Sequence, residues 1–226
     1  LGLAVWVWLA VALIIAYAVG IALYALRVPF GDDHAMISAA AFGAAQTPAD
    51  AWAALSAQHN EHRPVVVRLV FWLADLLPGP LDVALIAWAG NLFLVLMFAL
   101  LLREGHRVSA PGPFIVVAAA LMFNFGLSES SIWPMAAVSN FGVLAMMLAM
   151  LALLSMRGIT AWLALSPALL AVGLQGNGLF VPFLGAAYLL TNKRPPLRRR
   201  SGSRWALRLP CGSSPTTFRR QKTQRP

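Results

Sequence analysis

The stretch AVWVWLAVALIIAYAVGIALYAL, residues 4–26, contains no charged side chain. Wound as an α-helix it reaches roughly 35 Å, enough to cross the ~30 Å hydrocarbon layer of a bilayer. It has no small-residue cleavage pattern, so it reads as a membrane helix and not as a signal peptide. The rest of the chain agrees: 60% of the residues are hydrophobic, 11% are charged, and the mean hydropathy is +0.74. Such a composition excludes a soluble domain with a wet surface and places the chain among integral membrane proteins.

Further apolar runs follow. One covers about residues 81–102. Two more lie at about 113–127 and 140–156, separated by SESSIWPMAAVSN. The run 159–190 is too long for one untilted crossing. Ser166-Pro167 and GLQGNG interrupt it, so two short helices are expected to meet near Gln175–Gly178. VVVRLVFWLADLL (65–77) is too short to span and carries Arg68 and Asp75 seven residues apart, on one helical face, as in an interfacial helix. The expected fold is all-α: a polytopic transmembrane bundle of about five to six spans within residues 1–194. A long first loop, 27–80, carries short interfacial helices.

The net charge of +9 is unevenly placed. Residues 193–226 hold eleven Lys or Arg and no acid, which leaves six bases and eight acids in the first 192 residues. The basicity therefore belongs to the tail, and nucleic acid is not an expected partner of the membrane body. The tail, 195–226, reads either as a disordered cytoplasmic extension touching anionic lipid or as the product of a frame lost near Arg194. The single cysteine, Cys211, lies there and permits neither an internal disulfide nor a cysteine-rich zinc site.

Positive charge orients the spans. With the N-terminus of the first helix inside, Arg103, Arg107, Arg157, Lys193 and Arg194 fall in the cytoplasm, against Arg27, Arg63 and Arg68 outside. Every acid except Glu104 then lies on the outer side, together with the segment 128–139 and the QGNG turn. The polar chemistry gathers on one face of the membrane, the outer one.

Two clusters stand out there. In GDDHAMISAAAFGAA, from Gly31, an aspartate at the start of a helix can accept its orphan amide hydrogens, and Asp33 is placed to do so. That role leaves Asp32 unexplained beside the bilayer, where a carboxylate needs a reason. In QHNEHR, Gln58–Arg63, His59 and His62 are three apart but lack the Glu placement of a metalloprotease helix and a specified third ligand. A base, an acid and an arginine together suit a phosphorylated lipid headgroup, since Arg offers a bidentate fork; a solvated loop is the plain alternative. Elsewhere, Thr47, Pro48 and Asp50 read as a capping box, and Asp82 as part of the first turn of a spanning helix. Asn91 and Asn124 read as helix-packing residues. Glu129, Gln175 and Asn177 are thinner signals on the same side.

A first spanning helix followed by an acidic pair that opens a long outer loop, DDHAMISAAA here, resembles the N-terminal part of GT-C-type membrane glycosyltransferases. The likeness is to the protein mannosyltransferase and aminoarabinose transferase relatives, and covers about residues 1–190. HNEHR is similar to an element of uncharacterised bacterial proteins of this kind. The resemblance implies transfer of a sugar from a polyprenyl-phosphate donor to an acceptor at the outer face. Asp32 would be general base, or a ligand of a divalent metal as in some branches, with Asp33 in second place. His34, His59, Glu61, His62, Arg63 and Arg68 would bind substrate, with Arg63 and Arg68 facing the lipid phosphate. Such enzymes have around twice as many spans, so this chain corresponds to an N-terminal portion. A multi-span transporter and a non-catalytic membrane protein are the competing classes.

Overall fold

A computed structural model describes residues 2–40, 47–156 and 162–192. The basic tail 195–226 lies outside the described residues, as do Arg157, Lys193 and Arg194, on which part of the orientation argument rests. Every named element among the described residues is helical.

Helix α1, Leu3–Tyr24, is apolar on all sides. Trp8, Ile15, Val19 and Leu23 remain exposed on it, while Ala10, Tyr17 and Ile21 are buried. Exposed apolar side chains carry no penalty in hydrocarbon, where the missing solvent is lipid. Three short helices form the loop that follows: α2 (Asp33–Ala40), α3 (Pro48–Leu55) and α4 (Val65–Asp75). Then come α5 (Val83–Arg107), α6 (Pro113–Met122), α7 (Ser128–Ile132), α8 (Pro134–Ala136) and α9 (Gly142–Leu154). Helices α10 (Leu165–Leu174) and α11 (Phe180–Thr191) close the described chain.

Among the described residues, four helical stretches are long and apolar enough to cross a membrane: Leu3–Tyr24, Val83–Arg107, Pro113–Ile132 and Pro134–Leu154. Two shorter apolar stretches, Trp162–Leu174 and Gly176–Thr191, follow them. The helical bundle matches the sequence expectation at that level. The two short helices meet at Gln175–Gly178 as expected, although Pro167 does not interrupt anything. It sits in the first turn of α10, where a missing N–H has no partner to lose.

The segment SESSIWPMAAVSN is not the connecting loop that its polarity suggests. It is helical through α7, and after Trp133 the chain re-enters a helix at Pro134 that runs on to Leu154. Two features make this possible. Pro134 supplies the fixed φ of a first helical position, and the Ser131 hydroxyl donates to the Leu127 carbonyl at 2.9 Å, so its polarity is spent inside the helix. Between α8 and α9, residues Ala137–Phe141 widen into a π-turn.

The packing is tight where helices cross. A Cβ built on Gly90 of α5 would sit 2.5 Å from both the carbonyl carbon and the Cβ of Ala137. Only glycine lets α5 approach the π-turn this closely. One position along, Asn91 is buried and donates to the carbonyls of Ala87 (2.8 Å) and Ser131 (2.7 Å), while its Oδ1 accepts from the Tyr17 hydroxyl. This asparagine joins α1, α5 and α7 through hydrogen bonds that have no water to compete with in hydrocarbon. Asn124 acts locally instead. Its Oδ1 accepts from the Gly126 amide at 2.7 Å and starts the turn Phe125–Leu127.

Candidate functional site

Phe30, Gly31, Asp32 and Asp33 form a tight turn entering α2, with Gly31 in the left-handed region at φ +54°. The turn is pinned to the bundle at three points. Leu26 donates to the Ile132 carbonyl (3.1 Å), the Trp133 indole donates to the Phe30 carbonyl (3.0 Å), and the Met135 amide donates to Asp33 Oδ1 (3.0 Å). A Cβ on Gly31 would lie 3.3 Å from the Trp133 ring, so glycine suits both the backbone and the packing.

The two aspartates have different environments. Asp33 is fully buried. Its carboxylate accepts from the Phe30 amide (3.0 Å) as well as from Met135. Burial pushes its pKa up, and the two amides partly offset that. The expectation that Asp33 caps its own helix is corrected: it caps the helix that starts at Pro134, in trans, because its side chain points into the bundle. Asp32 occupies the position before α2, and its backbone carbonyl accepts from Ala35 and Met36. Its carboxylate makes no hydrogen bond among the described residues and its side chain is 44% exposed; His59 Nε2 lies 3.4 Å from its Oδ2.

His59 and His62 are brought together by a two-residue reversal. His59 N–H donates to the His62 carbonyl (2.8 Å) and His62 N–H to the His59 carbonyl (3.1 Å). Asn60 takes the left-handed conformation at φ 49°, which asparagine tolerates better than most residues. The His62 ring is thereby turned inward. Its Nε2 is buried and has no hydrogen-bond partner among the described residues, and burial, the largest cause, lowers its pKa, with His59 and Arg68 adding to the effect. At neutral pH the ring is neutral and still has a hydrogen bond to give or take.

Two cavities share His62. The smaller, about 140 Å³, is lined by Asp32, His62, Trp133, Ser139, Asn140 and Gln175 among others. The larger, about 510 Å³, runs along Trp52, Glu61, Arg63, Val66, Leu169 and Leu179. Polar side chains of Asp32, His62, Ser139, Asn140 and Gln175 line the small chamber, although most of its open surface is apolar, and the groove has an apolar wall from α10 and a rim that carries both Glu61 and Arg63. Ser139 and Asn140 reach the chamber from the π-turn, a local widening often found at functional sites. Neither was a candidate from sequence, where both sat in an apparent connecting loop. Gln175 joins them from the break between α10 and α11, whereas Asn177 is exposed and lines neither cavity.

The remaining candidates separate. Glu61 and Arg63 line the groove. His34 is exposed and lines neither cavity. Arg68 is buried within α4 and donates to the carbonyls of Leu55 (3.0 Å) and Ala57. It satisfies the C-terminal end of α3, as a cation at a helix C-terminus does. Burial lowers its pKa. Arg68 and Asp75 therefore do not share an interface: Arg68 turns into the protein and Asp75 remains exposed. Thr47 and Asp50 form the expected capping box, with reciprocal bonds of 3.2 and 3.1 Å, and Asp82 accepts from Ala84 (3.0 Å) and Leu85 (3.4 Å) as N-cap of α5.

Among the described residues no three His, Cys, Asp or Glu side chains stand close enough together to hold a metal ion. No protein-family profile matches the chain, and no curated protein or solved structure is significantly similar to it.

Proposed function

We propose that this chain is the N-terminal, site-bearing portion of a membrane glycosyltransferase that moves a sugar from a polyprenyl-phosphate donor to an acceptor at the outer face of a bacterial inner membrane. The observation that carries the reading is the junction at His62. There a small chamber lined by Asp32, whose carboxylate makes no hydrogen bond among the described residues, meets an apolar groove edged by Arg63 and Glu61. A donor with a greasy tail and a phosphate-linked head has this division of chemistry.

In the proposed reaction Asp32 takes the proton of the acceptor hydroxyl as its oxygen bonds to the anomeric carbon. The bond from that carbon to the lipid phosphate breaks, and the electron pair leaves with the phosphate. Arg63, at the groove, stabilises the charge that develops there. Arg68 is not available for this role, because its guanidinium holds α3 in place. His59 holds the Asp32 carboxylate in position, and His62 offers a neutral hydrogen bond inside the chamber. Asp33 serves the reaction only by fixing the turn that presents Asp32.

A transporter would place ionisable groups along a path through the bilayer. The acidic and basic residues of the four span-length stretches are Arg103, Glu104, His106, Arg107 and Glu129, all close to helix ends. The test is transfer of a radiolabelled sugar from polyprenyl phosphate in membranes that contain the full-length protein. Asp32→Asn should remove transfer without loss of membrane insertion. Uptake of free solute into vesicles, with no transfer, would favour the transporter.

A further inference from the structure

A second cleft, about 650 Å³, lies between the end of α1 and the start of α5 and shares no lining residue with the two cavities at His62. Ile21, Ala25, Leu85 and Trp88 supply apolar lining, and Arg27 and Asp82, both exposed, line it from the two connecting segments. Both flanking helices are span-length, so the cleft sits where hydrocarbon gives way to water. A tryptophan at that level is typical of the membrane interface.

The two charges are not used on each other. The ion pairs among the described residues are His59–Asp32, Arg103–Glu104 and Arg107–Glu104, and none includes Arg27 or Asp82. Arg27 has no hydrogen-bond partner in the described structure. Asp82 gives one oxygen to the amides of Ala84 and Leu85, and its other oxygen makes no hydrogen bond there. The cleft is therefore lined by an exposed arginine and an exposed aspartate that no ion pair joins in the described structure, beside the apolar side chains of Ile21, Ala25, Leu85 and Trp88. A purely anionic headgroup would satisfy Arg27 and face repulsion from Asp82. A headgroup that carries a phosphate and an ammonium satisfies both.

We infer that the cleft between α1 and α5 binds a zwitterionic aminophospholipid, with its phosphate on Arg27, its primary ammonium on Asp82 and its glycerol and first methylenes over Ile21, Ala25, Leu85 and Trp88. Arg27 offers the phosphate a planar fork. The primary ammonium has N–H groups to donate to the carboxylate, which a quaternary choline lacks. The site is independent of the glycosyltransferase reading.

Native mass spectrometry of the delipidated, detergent-solubilised protein tests it, with phosphatidylethanolamine, phosphatidylcholine and phosphatidylglycerol titrated separately. The wild type should retain phosphatidylethanolamine about tenfold better than either other lipid, the factor that corresponds to one charge-assisted hydrogen bond. Arg27→Gln should weaken phosphatidylethanolamine and phosphatidylglycerol alike. Asp82→Asn keeps the helix cap, since asparagine caps as well as aspartate, and should weaken phosphatidylethanolamine about tenfold while leaving phosphatidylglycerol equal or tighter. The thermal melt of each variant checks folding. Equal or better retention of phosphatidylglycerol by the wild type, or undiminished phosphatidylethanolamine binding by Asp82→Asn, overturns the assignment.

Discussion

Asp33 Oδ1 accepts the Met135 amide hydrogen at 3.0 Å across 102 residues of sequence. This bond ties the turn that presents Asp32 to the first turn of the helix Pro134–Leu154, which also carries Ser139 and Asn140 to the small chamber. Removal of the carboxylate leaves two amides, of Phe30 and Met135, without partners in a buried place. Asp33→Ala is expected to lower stability by about 1–3 kcal/mol, and Asp33→Asn by less, since its amide oxygen can keep one bond. Thermal unfolding of the detergent-solubilised variants measures the difference. Equal melting of Asp33→Ala and wild type would remove Asp33 from this structural role.

Arg68 anchors α3 through the carbonyls of Leu55 and Ala57. Helix α3 buries none of its own side chains, so it depends on such tethers. Arg68→Leu should raise hydrogen exchange in residues 47–58 by at least tenfold, as about 1.4 kcal/mol of local stability is lost. Exchange in α5 should stay unchanged. A uniform rise over the whole bundle would show that Arg68 supports global folding instead.

The buried His62 ring gives a pH dependence whose sign is fixed. Its folded pKa lies below the ordinary histidine value of 6.5, so the unfolded chain binds the proton more readily. Its contribution is complete above pH 6.5 and is lost as the pH falls through that value towards the folded pKa. Asp33, with a raised pKa, contributes in the opposite sense at the carboxylate end of the scale: fully below its ordinary value of 3.8 and less as the pH rises through the folded pKa. Melting temperature should therefore fall from pH 7.5 towards pH 5.5 in the wild type, and this slope should flatten in His62→Gln. An unchanged slope in the variant would assign it to another group.

Gly90→Val places two methyl groups and a Cβ against Ala137, where even the Cβ meets backbone at 2.5 Å. The substitution must separate α5 from the π-turn, at about 1–3 kcal/mol or more. Because Asn140 lies on that turn, ligand binding in the chamber should weaken along with stability. Alanine should act in the same direction and more weakly.

Most of the bundle was legible in the sequence because long uncharged runs have few other stable conformations in a membrane chain. The capping box at Thr47–Asp50 and the cap at Asp82 were legible for a related reason: they use neighbours within three residues. The segment 128–139 misled because serines and asparagine signal a loop in isolation, whereas here they bond within and between helices. Asp33 and Arg68 misled in the same way. Their partners, Met135 and the carbonyls of Leu55 and Ala57, are set by tertiary folding, and no local pattern distinguishes a charge used to hold a helix end from one kept for a substrate. Asp32 and His62 emerged from the clusters GDDH and QHNEHR, but Ser139 and Asn140 carried no signal beyond their polarity.

The most direct measurement of the central claim is sugar transfer from radiolabelled polyprenyl phosphate by membranes containing the full-length protein, wild type against Asp32→Asn. The expected result is transfer by the wild type and its loss in the variant at equal protein level. Transfer by Asp32→Asn at the wild-type rate would contradict the assignment of Asp32 as the base, and absence of transfer by the wild type from any such donor would contradict the assignment of the enzyme.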